Sequence, residues 1–234
     1  MTRKRVAILI SGRGSNMAAL IAAAKEADFP AEIVGVISDK ADAAGLLVAE
    51  AAGIPIRVVP RSDYSGKEAH DQAIDATLHA FGTEIVCLAG YMRLLTDAFV
   101  AEWQGRMINI HPALLPLFRG LDTHRKALAA GVRIHGCTVH FVTAEMDGGP
   151  IIAQAAVPVL PDDDADTLAV RVLKAEHRLY PRALKLVAEG KARMVSGATV
   201  FDPSTPVVSE MAALDSLVAS AGQIDLEALA RFTP

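Results

Sequence analysis

Cysteine is scarce in this chain of 234 residues, which has only Cys87 and Cys137 and no C-x-x-C pair. This pattern argues against a disulfide framework and against a thiolate metal site. Neither sign of charge is in strong excess, because 23 Lys and Arg stand against 27 Asp and Glu. A chain without a basic excess has few groups to neutralise phosphates, so we expect no nucleic-acid partner.

Long apolar runs are missing as well. The first run ends at Ser11 and Gly12, too early for a signal-peptide core, and no run approaches the ~18 residues of a membrane span. The sequence also lacks H-E-x-x-H, G-x-S-x-G and G-x-x-x-x-G-K-[ST], the motifs of zinc proteases, nucleophile-elbow hydrolases and P-loop proteins. We therefore expect a cytoplasmic protein that has no membrane partner and binds no metal.

Short runs rich in Val and Ile alternate with longer amphipathic stretches in the first half of the chain. The runs predict strands at Val6–Ile10, Ile33–Ile37, Ile56–Val59, Ile85–Ala89 and Met107–Ile110. The stretches between them predict helices at Ser15–Ala27, Asp42–Ala52, Gly66–Phe81 and Thr96–Trp103. This alternation predicts an α/β fold, an open, mostly parallel, twisted sheet of Rossmann-like type with helices on both faces.

The pattern changes after His111. A proline-rich loop and a helix at Thr123–Ala130 precede two strands, Gly136–Val142 and Ile151–Val157, which we expect to pair antiparallel across the Asp147–Pro150 turn. A long helix and two short strands follow, at Asp166–Glu189, Arg193–Val195 and Thr199–Phe201. Residues 1–201 are predicted to form a single catalytic domain. Residues 202–234 are predicted to be an extension of loop and short helices packed on that domain.

A glycine-rich turn, ISGRGSN, separates the first strand from the first helix. Gly12 and Gly14 allow close backbone approach, and we expect Ser15 and Asn16 to cap a helix whose free N–H groups suit a phosphate. An empty strand-to-helix turn is the plain alternative. A dinucleotide site is disfavoured, because Met17 stands where the third glycine of G-x-G-x-x-G would lie.

Asn109 and His111 end a buried strand and are two residues apart, so their side chains share a face. An amide beside an imidazole can stabilise an oxyanion and transfer a proton, as addition to a carbonyl requires. Asp147, before two glycines, is by itself a turn residue, and it acquires a role only if it lies near His111. Five of the six other histidines are predicted to be half-buried in a strand (His135, His140) or on helix surfaces (His70, His79, His124).

Seven segments in this order resemble the phosphoribosylglycinamide formyltransferase family, folate-dependent enzymes of purine synthesis. They are ISGRGSN, SDKADAAGL, VCLAGYMRLL, INIHPALLP, GLDTHRKAL, HGCTVHFV and EMDGGPIIAQAAVPV. The resemblance implies transfer of a formyl group from 10-formyltetrahydrofolate, a co-substrate, to the amine of glycinamide ribonucleotide. It also implies that Asn109 and His111 stabilise the oxyanion while Asp147 assists proton transfer, without a metal.

The resemblance further implies two sets of binding residues. For glycinamide ribonucleotide these are Gly14, Ser15, Asn16 and Glu176. For the folate they are Lys67, Met92, Arg93, Leu94, Leu95, Asn109, Thr143, Ala144, Glu145, Met146 and Asp147. Two departures from the family pattern are Lys67, where an arginine can contact the glutamate tail of folate, and Arg119 in place of a proline.

Other activities stay open at this point. A 10-formyltetrahydrofolate hydrolase shares the catalytic trio but is expected to carry an added N-terminal domain, for which the residues before Arg5 leave no room. A tRNA formyltransferase is expected to carry a basic C-terminal domain, whereas Asp202–Pro234 has Arg231 as its only basic side chain. A sensing module that binds a phosphorylated ligand would not need the trio. For the oligomeric state we expect a monomer or a homodimer.

Overall fold

A seven-stranded sheet forms the centre of the computed structural model, which describes residues 2–203 and residue 205. Its strands are β1 (Lys4–Ile10), β2 (Ala31–Ser38), β3 (Ile56–Val58), β4 (Ile85–Leu88), β5 (Met107–His111), β6 (Ile134–Phe141) and β7 (Ile151–Pro158). They lie in the order β3-β2-β1-β4-β5-β6-β7. The first five pair in parallel, and β5–β6 and β6–β7 pair antiparallel. The predicted fold class is therefore confirmed.

In the part of the chain that the structure describes, six α-helices connect or follow these strands. They are α1 (Ser15–Ala24), α2 (Ala44–Ala51), α3 (Lys67–Ala80), α4 (Asp97–Glu102), α5 (Thr123–Ala129) and α6 (Ala165–Ala188). A 3₁₀ helix covers Arg61–Asp63, and β8 (Ala192–Val195) and β9 (Ala198–Phe201) form a two-stranded sheet. Each predicted element is present with shifted ends. Helix α1 ends at Ala24, before the predicted Ala27, because the chain turns there to bury Phe29. Pro30 also disfavours a helical conformation at Phe29, the residue that precedes it.

Alternating residues of the strands build a separate core on each face of the sheet. Along β1, Val6, Ile8 and Ile10 pack into the core that α1, α2, α5 and α6 cover. The intervening Ala7 and Leu9 pack into the core under α3 and α4. Every one of these side chains is fully buried, which explains why the strand reads as a continuous apolar run in the sequence.

The order of the strands reverses between β1 and β4. From β1 the chain passes to β2 and β3 on one side, and then returns to β4 on the other. Such a switch point leaves a crevice at the carboxyl ends of the strands, where open α/β sheets bind ligands. Ser11 links the chain after β1 to the chain after β4. Its backbone N–H donates to Gly90 O (3.1 Å) and its Oγ accepts from Met92 N–H (2.9 Å).

Helix α6 is anchored to the strands beside this crevice. The buried Tyr180 hydroxyl lies 3.0 Å from the carbonyl of Leu88 at the end of β4 and 3.1 Å from that of Ile108 in β5. Glu176 lies one helical turn earlier and is also buried. The anchor therefore fixes the position of Glu176 relative to the strand ends.

Two compact units are distinguished in the chain, Met1–Val200 and Phe201–Pro234. Most of the second unit, and nearly all of the predicted extension 202–234, lies outside the described residues. The division into a catalytic domain and an extension therefore stays a prediction. Among the described residues, no helix is both long and apolar enough to cross a membrane.

Candidate active site

The glycine-rich turn places an open helix end at the crevice. Gly14 is the N-cap of α1 in the left-handed conformation (φ 71°), and no side chain caps the helix. The prediction that Ser15 and Asn16 cap the helix is wrong, because the left-handed bend falls at the glycine and the helix already starts at Ser15. The first N–H groups are left without a side-chain cap, as an anion site requires.

The turn packs tightly against the start of α2 through Gly45, which the sequence analysis did not single out. Gly45 N–H donates to Gly12 O (3.0 Å), and a Cβ at Gly45 would lie 2.7 Å from Ile10 Cδ1. The buried Met17 fills the space under the turn, since its Cε would lie 3.0 Å from a Cβ on Gly14. This packing agrees with the case against a dinucleotide site.

Asn16 and Glu176, far apart in the sequence, meet beside this helix end. Asn16 Nδ2 donates to Glu176 Oε2 at 2.6 Å. Burial raises the pKa of Glu176, and the hydrogen bond from Asn16 opposes part of that shift. Asn16 Oδ1 is buried and has no hydrogen-bond partner among the described residues. An acceptor oxygen and a carboxyl group therefore face the same region, where a hydroxylated ligand can supply donors.

The crevice has two walls. The first is the glycine-rich turn with the start of α1, and the second is the segment of residues 91–96, which leads into α4. It exposes two large apolar side chains, Met92 (60% exposed) and Leu94 (68% exposed). Arg93 is drawn to one side, because its Nε donates to the buried carboxylate of Asp39 at 2.8 Å. Lys67, predicted to contact a folate, donates from Nζ to Leu95 O (2.9 Å). The segment offers apolar side chains and backbone groups for a flat ligand.

The predicted trio lies together, connected by a fourth residue. Asp147 Oδ2 is 3.4 Å from His111 Nδ1, and Asp147 Oδ1 is 3.8 Å from His140 Nε2. Asn109 Nδ2 is 3.2 Å from the same His140 Nε2. The proximity of Asp147 to His111, on which a role for Asp147 depended, is therefore present in the structure.

His140 was missed as a site residue because its place inside an apolar strand suggested a core histidine. Its Nδ1 lies 2.9 Å from Phe141 O, and since a carbonyl only accepts, Nδ1 carries the proton. Burial lowers the pKa of His140. With the proton on Nδ1, Nε2 accepts from the Asn109 amide at 3.2 Å. His140 thereby orients that amide. The antiparallel register of β5 and β6 places His140 opposite Asn109, and no local pattern in the sequence reveals that register.

The turn that carries Asp147 doubles back along β6. It starts beside the beginning of β5, where Val142 N–H donates to Met107 O (2.9 Å). Asp147 itself takes a left-handed conformation (φ 51°), which Asp and Asn tolerate better than most residues. A Cβ on Gly149 would lie 1.7 Å from Phe141 O, so only glycine fits there. The two glycines after Asp147 thus serve close packing as well as the turn.

The loop after β5 closes over His111 and Asp147. His111 Nε2 is 3.0 Å from Phe118 O, and Gly120 N–H donates to Asp147 Oδ2 at 2.8 Å. Arg119 forms an exposed ion pair with Glu145 across the opening. Each ring nitrogen of His111 therefore lies near an acceptor oxygen.

Three other histidines are more buried than predicted. His70 is 2% exposed, and its Nε2 donates to Val59 O (2.8 Å). The sequence contained a sign of this burial, because His70 shares a helix face with Ile74 and Leu78 at i+4 and i+8, which are both buried. His135 is 1% exposed and makes edge contacts with the rings of Phe118 and His124. His124, predicted on a helix surface, is half-buried against His135.

Because His135 is buried, we expect the protein to lose stability in mild acid. Burial, with a contribution from His124, lowers the pKa of His135 to about 4 from 6.5. The unfolded chain takes up this proton near pH 6.5, so the free energy of unfolding should fall by about 2 kcal/mol between pH 7 and pH 5. Urea unfolding at several pH values measures the slope. His135→Phe should flatten it while His79→Gln on the surface should not, and equal slopes in all three proteins would contradict the prediction.

Within residues 2–203 and 205, no group of three or more His, Cys, Asp or Glu side chains is arranged to hold a metal ion. Cys87 and Cys137 are both buried and unpaired, and burial raises the pKa of each thiol to about 12. The polar groups of the crevice, Asn109, His111 and Asp147, are of the kind that an acid–base site uses.

Comparison with known proteins identifies the family. The family described as formyl transferase matches residues 4–184. The chain belongs to the formyl transferase family. The trifunctional purine biosynthetic protein adenosine-3 of Bos taurus is 53% identical over 82% of this chain, and the chain spans about a fifth (19%) of that protein's length. The crystal structure of phosphoribosylglycinamide formyltransferase from Brucella melitensis is 61% identical, with a TM-score of 0.78, covering 84% of this chain and 100% of that one.

A formyltetrahydrofolate deformylase from Pseudomonas syringae is more distant. Its crystal structure has a TM-score of 0.79 but 28% identity, covering 86% of this chain and 66% of that one. Both activities use the same fold. By identity and coverage the chain is more similar to the formyltransferase than to the deformylase.

Proposed function

We propose that this chain transfers the formyl group of 10-formyltetrahydrofolate to the amine of glycinamide ribonucleotide, a step of purine synthesis. The observation that carries the proposal is the clustering of four side chains, since Asn109 lies against His140, and Asp147 lies 3.4 Å from His111 and 3.8 Å from His140. An amide donor, an imidazole and a carboxylate in one cluster support the proposal. Such groups can stabilise the oxyanion and transfer the protons when an amine adds to a formyl carbon.

In the proposed mechanism the substrate amine attacks the formyl carbon and forms a new C–N bond. Asn109 and protonated His111 stabilise the oxyanion of the tetrahedral intermediate. Asp147 accepts the proton that the attacking amine releases, directly or through a water molecule, and this proton passes to N10 of the folate. The bond from the carbon to N10 then breaks, and tetrahydrofolate and the formylated ribonucleotide leave. No metal takes part in these steps.

The two substrates would occupy the two walls. The phosphate of the ribonucleotide would bind the open N-terminus of α1 at Gly14 and Ser15, where the helix end has no side-chain cap. Its sugar hydroxyls would meet Asn16 and Glu176. The folate would lie against Met92–Leu95 and the turn of residues 143–147, with its formyl group towards Asn109. We further propose that the enzyme acts in the cytoplasm, as a monomer or homodimer.

A steady-state assay tests this proposal. Formation of tetrahydrofolate is measured from 10-formyltetrahydrofolate with and without glycinamide ribonucleotide. Turnover that depends on the ribonucleotide is expected, and the formylated ribonucleotide should appear in equal amount. Release of formate without the acceptor would instead identify a hydrolase. No turnover under either condition would refute the transferase.

A further inference from the structure

Two side chains from the start of α3 form hydrogen bonds with the backbone of the 91–96 segment. Lys67 Nζ donates to the carbonyl of Leu95 at 2.9 Å, and Asp71 Oδ2 accepts from the backbone N–H of Thr96 at 2.6 Å. Lys67 and Asp71 are four residues apart, so they lie on the same face of the helix. Asp71 is 4% exposed, which makes its charge-assisted hydrogen bond strong.

The opposite side of the segment is held as well. Met92 N–H donates to Ser11 Oγ at 2.9 Å, and Arg93 Nε donates to the buried carboxylate of Asp39 at 2.8 Å. Four contacts thus fasten residues 92, 93, 95 and 96, and the side chains of Met92 and Leu94 remain exposed. A segment fastened in this way presents its apolar side chains and free backbone groups in one arrangement before a ligand arrives.

The position of Lys67 bears on how it acts. Its ammonium group reaches back to the protein's own backbone, and the bond to Leu95 lies inside the wall that the proposed function gives to the folate. The geometry supports an effect on the shape of the wall.

We infer that Lys67 and Asp71 are positioning residues, which hold the 91–96 segment in the shape that binds the folate ring system. Lys67 acts through the Leu95 carbonyl and not through the glutamate tail. This inference rests on the proposed function, because it takes 10-formyltetrahydrofolate as the ligand. It assigns to the start of α3 the task of setting the affinity for the co-substrate, without contact to the reacting atoms.

The test compares Lys67→Met and Asp71→Ala with the wild type, using 10-formyltetrahydrofolate and its pteroate analogue, which lacks the glutamate. Each variant should raise KM for both folates by the same factor, on the order of 10, as expected for loss of one hydrogen bond to a charged group. KM for glycinamide ribonucleotide and kcat should change by no more than about 2-fold, since neither substitution reaches the reacting groups.

Asp75→Asn is the matched control. Asp75 lies one turn further along α3 and accepts from Trp103 Nε1 at 2.9 Å, so its substitution removes a similar charge from the same helix without touching the segment. KM for the folates should stay at the wild-type value in this variant. Thermal melting of all variants separates lost stability from lost affinity. If Asp71→Ala does not fold, Asp71→Asn replaces it, because the amide keeps the shape and loses the charge.

Two results would overturn the inference. A Lys67→Met effect that disappears with the pteroate analogue would show that Lys67 binds the glutamate tail. An Asp71→Ala variant whose KM matches that of Asp75→Asn would show a merely structural role. If the wild-type protein has no acceptor-dependent turnover, the proposed function fails, and fluorescence titration of both folates then decides the inference separately through their Kd values.

Discussion

The His111→Ala variant is expected to lose about 2–3 orders of magnitude in kcat, the range for removal of a group that stabilises an oxyanion. The ring is 5% exposed and lies between Phe118 O and Asp147 Oδ2. Alanine removes the donor that would stabilise the oxyanion, whereas both substrate-binding walls remain. KM for each substrate should therefore change only a few-fold. Steady-state kinetics with each substrate varied in turn measures both quantities.

His79→Ala provides the control for this variant. His79 is an exposed histidine of α3 that pairs with Asp75 on the same helix, so its removal should leave kcat unchanged. Melting temperatures show whether the His111→Ala chain is folded at the assay temperature. Turnover near the wild-type value in a folded His111→Ala protein would remove His111 from the mechanism.

The Asp147→Asn variant should lower kcat by about 10²–10³-fold. Asparagine keeps the shape of the side chain, accepts the Gly120 N–H through its oxygen and tolerates the left-handed backbone at this position. The substitution therefore removes mainly the charge that faces His111 Nδ1 at 3.4 Å. The amide of the Asp147→Asn side chain carries no charge, so it can neither support an imidazolium nor accept a proton from the attacking amine.

The measurement is kcat at saturating concentrations of both substrates. Asp28→Asn serves as the reference, because it removes an exposed carboxylate (85% exposed) whose described contact is an ion pair with Lys185. The reference should retain wild-type turnover. A kcat within about 3-fold of the wild type in Asp147→Asn would show that the carboxylate charge does not contribute to the reaction.

Much of the fold follows from local patterns in the sequence. Continuous Val and Ile runs predict strands buried on both faces, and β1 confirms this, since alternate residues enter separate cores. Amphipathic stretches predict the helices, and only their ends shift. The capping prediction failed at Ser15, because the local preference of serine for a cap did not reveal that Gly14 would take the left-handed bend.

The site is less accessible to such patterns. Asn109 and His111 can be placed on one face because they belong to one strand. The position of Asp147 next to His111 depends on a turn that doubles back, and that path requires Gly149 to pass close to Phe141 O. His140 looks like a core residue until the antiparallel register of β5 and β6 brings it opposite Asn109.

The sequence by itself determined the order of strands and helices, the glycine turn and the shared face of Asn109 and His111. These features follow from backbone periods of two and 3.6 residues, which act over a few neighbouring positions. Only the tertiary structure decided that Asn16 meets Glu176, that His140 lies beside Asn109 and Asp147, and that Lys67 contacts Leu95. Such contacts depend on sheet register and on loop paths. Both are set by the packing of the whole chain, because no short stretch of sequence contains the partner that it will contact.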